Sequence, residues 1–291
     1  MIGPASSLRQ KQHGLALVIV LWVIVLLSVI ATAHSSNVHT TTRLAARQLE
    51  IAQLQATANS GVQRAILELL SSSRMDPWPV NGDRRKVTIN NDTVSVAMRT
   101  STGLLDLNSA TPRLLSALLE VTGADPDSKA ALVDAILDWR DSDDLSRLHG
   151  AEEDDYPSRQ AGWTIRNGPF LAVDELRYVL GMTNQYFQRI APLVTVYSGH
   201  PGVNLEFAPP ELVQALTGER VNSVDLTLPG NPRSTPTQTV RAGTFHIYAE
   251  ASSETAIAAV EAVVRIVPTD NRPYTVLAWH EPGRSLPQTS P

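Results

Sequence analysis

The chain of 291 residues contains no cysteine. That excludes disulfides, cysteine–zinc sites and thiol catalysis. It does not exclude an oxidising compartment, because a chain this long can bury a core without being stapled. An excess of positive charge is also missing: 24 Lys and Arg stand against 29 Asp and Glu, a net charge of −5. No global basic field is therefore offered to nucleic acid or anionic lipid. The sequence has no P-loop, no GxSxG and no HExxH, and its seven histidines (13, 34, 39, 149, 200, 246, 280) are never paired at helical ligand spacing. A hydrophobic content of 43% and a charged content of 18% nonetheless describe a folded chain, long enough for one or two domains.

What the chain does have is an uncharged run near its start, Leu15–Ala33. As a helix it covers about 28 Å, close to the roughly 30 Å hydrocarbon core of a bilayer. The stretch before it carries Arg9 and Lys11 and no acid, which keeps it in the cytoplasm and sends the remainder across. Three fates fit such a segment. A signal peptidase could cut after the small residues Ala31-Thr32-Ala33. The segment could stay as a plain signal anchor. Or the chain could be cut after Gly14, before the apolar run, making Leu15 the mature N-terminus; this third arrangement resembles the type IV prepilin signal. That signal usually has glutamate at the fifth mature position, where this chain has Ile19. In a helical stack of such subunits the glutamate pairs with a neighbour's terminal amine, and a buried charge needs a partner. A subunit with Ile19 offers none, which suits the end of a stack rather than its middle.

Beyond the run, Ile51, Leu54, Ala58, Val62, Ile66 and Leu70 keep helical spacing, with Leu44 further upstream. They predict one helix from Leu15 to about Leu70, broken by the Pro- and Gly-containing stretch Ser71–Asp83. Short strands are expected at Lys86–Ile89 and Thr93–Arg99 around the turn Asn90-Asn91-Asp92. Helices follow: from Thr111-Pro112 to Val121, from a cap at Asp127 or Ser128 to Trp139, over Asp174–Leu180 and over Gln185–Leu193. Tyr197–Gly202 reads as a linker, Val203–Leu205 as a strand, and Pro209–Thr217 as a short helix ended by Gly218. After the loop Leu228–Gln238, three alternating segments, Thr244–Glu250, Ala259–Val267 and Tyr274–His280, predict an antiparallel meander.

Acid is concentrated between Asp134 and Asp155, where nine carboxylates face only Arg140 and Arg147. Carboxylates held this close repel unless neutralised, and hard cations such as Ca²⁺ take six to eight oxygens. Asp141, Asp143 and Asp144 follow a predicted helix end, and the cluster Glu152, Glu153, Asp154 and Asp155 can return from the next loop. The segment is not an EF-hand, since Leu145 and Ser146 stand where that loop needs a ligand and a glycine. A solvated acidic loop with local ion pairs is the alternative. Leu105–Gly123 resembles the start of a helix-hairpin-helix or SAM-like unit used by some DNA-binding proteins. From Asp106 to Arg189, however, fifteen acids meet eight bases. Phosphate affinity rests on Lys and Arg, so no nucleic-acid partner is expected.

Taken in order, several motifs resemble one family. They are Gly14 with Leu21-Trp22 in the apolar run, the run Leu105 to Ala110 (LDLNSA) and the run Asp138 to Asp143 (DWRDSD). Gly150-Ala151-Glu152 with Tyr156, Asn167-Gly168-Pro169-Phe170, Asp174-Glu175-Leu176, Gly181-Met182 and Val203-Asn204 complete the set. The family is protein K of the type II (general) secretion system, the large minor pseudopilins. The resemblance implies an α+β fold, a pilin-like long N-terminal helix packed on an antiparallel β-sheet, with a large helical (SAM-like) insertion. It implies a non-enzymatic subunit that joins other minor pseudopilins in a tip complex, initiating and capping a periplasmic pseudopilus for protein export. Prepilin peptidase, acting at Gly14 and Leu15, and inner-membrane lipid are implied partners. Calcium is implied as the cofactor, with Asp141, Asp143, Asp144, Glu152, Glu153 and Asp155 as candidate ligands.

The expected organisation is a cleaved leader, 1–14, and a single inner-membrane span, 15–33. The periplasmic helix and first strands occupy 34–100, and the inserted helical domain 101–200. A second small unit with the last strands fills 201–281, followed by a loose tail, 282–291. A minor pilin of a type IV pilus or competence pseudopilus, and a signal-anchored periplasmic enzyme, are the alternatives.

Overall fold

The computed structural model describes residues 13–71, 77–89, 92–156, 166–218, 242–267 and 271–281. Most of the expected leader, the turn residues Asn90 and Asn91, the loop 228–238 and the tail 282–291 lie outside the described residues. The chain divides into two units, Met1–Gln53 and Leu54–Pro291.

The first unit holds the start of α1, a 58-residue helix assigned over His13–Leu70. Gly14 and Leu15 fall in its first turn. The large apolar residues from Leu17 to Val29 are each 48–75% exposed. Among the described residues no helix is long and apolar enough to cross a membrane. Side chains are described here for residues 17–29, and the apolar run extends past them at both ends. Leu44, expected on the apolar face, is 57% exposed.

In the second unit, the last turns of α1 bury Ala58, Val62, Ala65, Ile66 and Leu69 against a five-stranded antiparallel sheet. The strands are β1 (Asn81–Ile89), β2 (Asp92–Thr100), β5 (Gly243–Ser252), β6 (Ile257–Ile266) and β7 (Tyr274–His280), in spatial order β1-β2-β5-β6-β7. Alternation puts Val94, Val96 and Met98 of β2, Phe245, Ile247 and Ala249 of β5, and Val260, Ala262 and Val264 of β6 under the helix. β1 begins five residues before its expected start. Its early residues Asp83–Lys86 are polar and exposed, which hides an edge strand from any hydrophobic pattern.

Gly61 sets how closely helix and sheet approach. A Cβ there would lie 2.9 Å from Val94 Cγ2 and 3.1 Å from Ala249 Cβ. The intrinsic helix penalty of glycine is thus offset by contact distance.

The insertion enters and leaves between neighbouring strands. Thr100, at the end of β2, is the register partner of Phe245 at the start of β5. Residues between them can grow outward without breaking the ladder. They form β3 (Leu105–Asp106), α2 (Pro112–Leu119), α3 (Pro126–Arg140), α4 (Asn184–Ile190), β4 (Val194–Thr195) and α5 (Pro210–Thr217). β3 and β4 pair in parallel, a two-residue ladder too short to leave a sequence signal.

The caps largely follow the expected chemistry. The Thr111 hydroxyl accepts from Leu114 N–H, with Pro112 at the first helical position. The second cap is Asp125 rather than Asp127 or Ser128: its carboxylate accepts from both of those amides, and Pro126 occupies the first turn. The segment expected as a helix over Asp174–Leu180 is a 3₁₀ run, Val173–Tyr178. Val203–Leu205 is not a strand. Asn204 Oδ1 accepts from Glu206 N–H and the Asn204 carbonyl accepts from Phe207 N–H, which curls the chain into a turn. Val203 and Leu212, expected in a second small unit, are buried in the same core as Leu105, Leu118, Ile136 and Ile190.

Gly61→Val should lower stability by about 1–3 kcal/mol through overpacking. Exposed Gln63→Ala should stay within about 0.5 kcal/mol. Thermal melts of the full chain in detergent compare the two.

Candidate metal centre

The site is built at the C-terminal end of α3. Its sequence Asp138-Trp139-Arg140-Asp141 points four side chains to four tasks. Trp139 enters the core, stacking on Phe170 at 5.9 Å between centroids and meeting the edge of Tyr156 at 5.8 Å. Arg140 turns back and donates to the carbonyls of Leu107 and Ala110. Asp138 is fully buried. Its carboxylate accepts from the Arg147 guanidinium and from Arg147 N–H, so the following loop must fold back over the helix end. Asp141 accepts from the same guanidinium at 2.7 Å.

Gly150 completes this closure. A Cβ on it would lie 1.7 Å from Asp138 Oδ2. The chain can pass the buried carboxylate only without a side chain, and so delivers Ala151 and Glu152 inward. Both are buried.

Asp141, Asp143 and Glu152 can each place one oxygen so that all lie within 4.8 Å of one another. Asp141 Oδ1 and both Glu152 oxygens are enclosed and accept no hydrogen bond. Such orphaned acceptors are costly in a neutral setting. Glu152 is pushed up to about 7, first by burial and then by the charges of Asp138, Asp141, Asp144 and Asp143. An all-oxygen donor set of mutually repelling carboxylates, from buried Glu152 through half-buried Asp141 to exposed Asp143, fits a hard divalent cation.

The other candidate ligands lie outside this group of three. Asp144 Oδ1 accepts from Asn167 Nδ2 at 2.8 Å, and Asp155 Oδ2 accepts from Glu152 N–H at 3.1 Å across a 3₁₀ turn. Glu153 opens that same 3₁₀ turn. Reasoning on the acids alone missed Asn167. Its Oδ1 is enclosed without a partner, its φ is 45°, and the following Gly168 N–H donates to the Trp139 carbonyl. The Asn-Gly-Pro-Phe motif carried that signal.

The remaining motif residues brace the same place. Asp106 is buried. It accepts from the amides of Asn108 and Ser109 on one oxygen, and from Ser198 N–H, Ser198 Oγ–H and Gly199 N–H on the other. Asn108 exchanges two hydrogen bonds with the Phe170 backbone. Tyr156 Oη accepts from Leu180 N–H at 3.2 Å. Motifs spread over a hundred residues thus meet around one helix end.

The architecture so described is an α+β, pilin-like one, a long helix on an antiparallel sheet with a helical unit inserted between β2 and β5. A chain from the crystal structure of the GspK–GspI–GspJ complex of the enterotoxigenic Escherichia coli type 2 secretion system shares this fold. The TM-score is 0.57 at 16% identity, covering 82% of this chain and 98% of that one. Residues 93–199 match the family model for protein K of the type II secretion system. Type II secretion system protein K of Klebsiella pneumoniae is 26% identical over 209 residues, 64% of this chain and 63% of that protein. The Dickeya chrysanthemi protein K is 37% identical over 79 residues, 27% of this chain and 21% of that one. This chain therefore spans less than two-thirds of the length of the Klebsiella relative.

Removing Arg147 leaves the Asp138 charge buried without its cation. Arg147→Ala should cost about 3 kcal/mol, the low end for breaking a buried pair because Arg147 is itself 39% exposed. Asp138→Asn should cost less, since its amide oxygen still accepts Arg147 N–H. Urea unfolding of the full chain with a chelator present measures both.

Proposed function

We propose that this chain is a minor pseudopilin of a type II secretion system. In this reading it joins other minor pseudopilins in a tip complex that initiates and caps a periplasmic pseudopilus for protein export. One observation carries the reading: the protein K motifs converge on one helix end of a unit inserted into a pilin-like helix and sheet. The role is one of assembly rather than catalysis. The long helix is stored in the inner membrane by its apolar half, and bundles with like helices once extracted. Ile19 leaves no acid for a further subunit's amine, and the inserted unit gives the head a bulk that suits a terminal position. Prepilin peptidase acts between Gly14 and Leu15, and the mature head lies in the periplasm.

Co-expression of the full chain with the two other minor pseudopilins of its system should yield a stable ternary complex. Deletion should stop export of the system's cargo. The mature protein should begin at Leu15, and Gly14→Ala should leave the leader uncut. A start after Ala33 by mass spectrometry would overturn the cleavage reading. Salt-sensitive DNA binding with intact export would favour a competence-type pseudopilin instead.

Calcium is the cofactor in this reading, held by Asp141, Asp143 and Glu152, with Asp144, Glu153, Asp155 and Asn167 around them. When bound it would neutralise the carboxylates and fasten the 141–152 loop to the end of α3. Calcium at a hundred times its dissociation constant should add about 3 kcal/mol to the stability of the chelator-treated protein. Glu152→Gln and Asp141→Asn should remove most of that gain. Equal melting temperatures with calcium and with chelator would sink the assignment.

A further inference from the structure

A cleft of about 620 Å³ separates the second face of the sheet from the inserted unit. Two neighbouring sheet residues reach across it. Arg99 of β2 and His246 of β5 are register partners. Arg99 donates through Nη1 to the Phe207 carbonyl at 2.9 Å, and His246 Nε2 lies 3.1 Å from Thr195 Oγ1 of β4. Each therefore grips a different segment of the inserted unit.

The direction of the second bond is set by the imidazole tautomer. The Thr195 hydroxyl already accepts from Tyr197 N–H at 3.1 Å. Its own proton can point at the imidazole, in the tautomer that has Nε2 as the acceptor and the ring hydrogen on Nδ1. The Tyr197 ring covers the imidazole at 6.1 Å and 59°. Burial, and then the Arg99 cation, hold His246 down at about 4. The other charged or titratable groups lining the cleft are Arg84, Tyr248, Glu261 and His280 from the sheet, and Asp174 from the inserted unit.

We propose that His246 is a pH-sensitive clasp between sheet and insertion. Its neutral ring, with the hydrogen on Nδ1, accepts a hydrogen bond from the Thr195 hydroxyl and holds the cleft closed. Protonation sets a second cation beside Arg99, removes the acceptor and lets the inserted unit part from the sheet.

The folded value lies below the ordinary 6.5, so the clasp is fully present above that value and is lost as pH falls from there toward about 4. The inference holds whatever the chain assembles with, because it concerns only contacts within one subunit.

Hydrogen exchange of the full chain in detergent tests it, read in the segments Val194–Tyr197 and Thr244–Tyr248 and referred to unfolded peptides at the same pH. Between about pH 7 and about pH 4.5 wild-type protection should fall about tenfold or more. His246→Gln keeps an acceptor but cannot titrate, and should hold its protection at both. Thr195→Val should be weakly protected at both. A flat wild-type profile, or a parallel fall in wild type and His246→Gln, would overturn the clasp. Should the glutamine variant not fold, the NMR titration of the His246 ring decides. Its midpoint should lie well below 6.5 in wild type and move up in Thr195→Val, and an unmoved midpoint would count against the proposal.

Discussion

The inserted unit depends on one carboxylate placed where carboxylates are costly. Asp138 is fully buried and sits at the negative end of the α3 dipole, so nothing about its own helix favours its charge. Its cation has to come from elsewhere, and it comes from the outgoing loop as Arg147. The pairing is therefore also a folding instruction. The loop must return over the helix end, and Gly150 is what lets it pass. Once it has passed, Asp141, Asp143 and Glu152 have no choice but to converge. The enclosed, unpaired oxygens of the candidate centre are thus a consequence of satisfying the deeper carboxylate first.

The same economy of short segments explains how a sheet carries so large an insertion. Thr100 and Phe245 are opposite each other in the ladder, so the two ends of the insertion begin a strand spacing apart. What the root then needs is stiffness. Asp106 supplies it with five accepted hydrogen bonds that tie β3 to the chain just after β4. Gly103 permits the approach at this root, since a Cβ would lie 2.5 Å from the Phe207 carbonyl oxygen. Arg99 reaches that same carbonyl from the sheet.

Much of this was legible before any coordinates, and the exceptions share a cause. The long helix, β5 and β6 announce themselves because each buries one periodic face, and β7 through its alternating sequence, although its side chains are exposed or half-buried. α2 announces itself through Thr111 and Pro112. β1 was read short because its first half is an exposed polar edge, and β3 and β4 because two-residue ladders have no period. Val203–Leu205 looked apolar enough for a strand, but Asn204 supplies a competing side-chain bond. At the site, spacing picked out the acids yet could not separate Asp141, Asp143 and Glu152 from Asp144 and Asp155. The difference lies in which carboxylates the folded loop brings within 4.8 Å of one another, and only three dimensions decide that.

The turn between α2 and α3 shows why a likeness to a phosphate-binding hairpin need not carry its use. A hairpin that binds phosphate must present free backbone amides at the start of its second helix. Here Gly123, in the left-handed region at φ 70°, gives its N–H to the Glu120 carbonyl. Ala124 gives its own to the Thr122 hydroxyl. Asp127 and Ser128 give theirs to the Asp125 carboxylate, which occupies the position an anion would need. Arg189, beside the turn, donates to the Thr122 carbonyl at 2.5 Å. Acidic composition alone argues that such a surface repels nucleic acid; the hydrogen bonds add that the amides of Gly123, Ala124, Asp127 and Ser128 are already engaged within the fold. These bonds instead close the turn on itself and tie it to the fourth helix through Arg189.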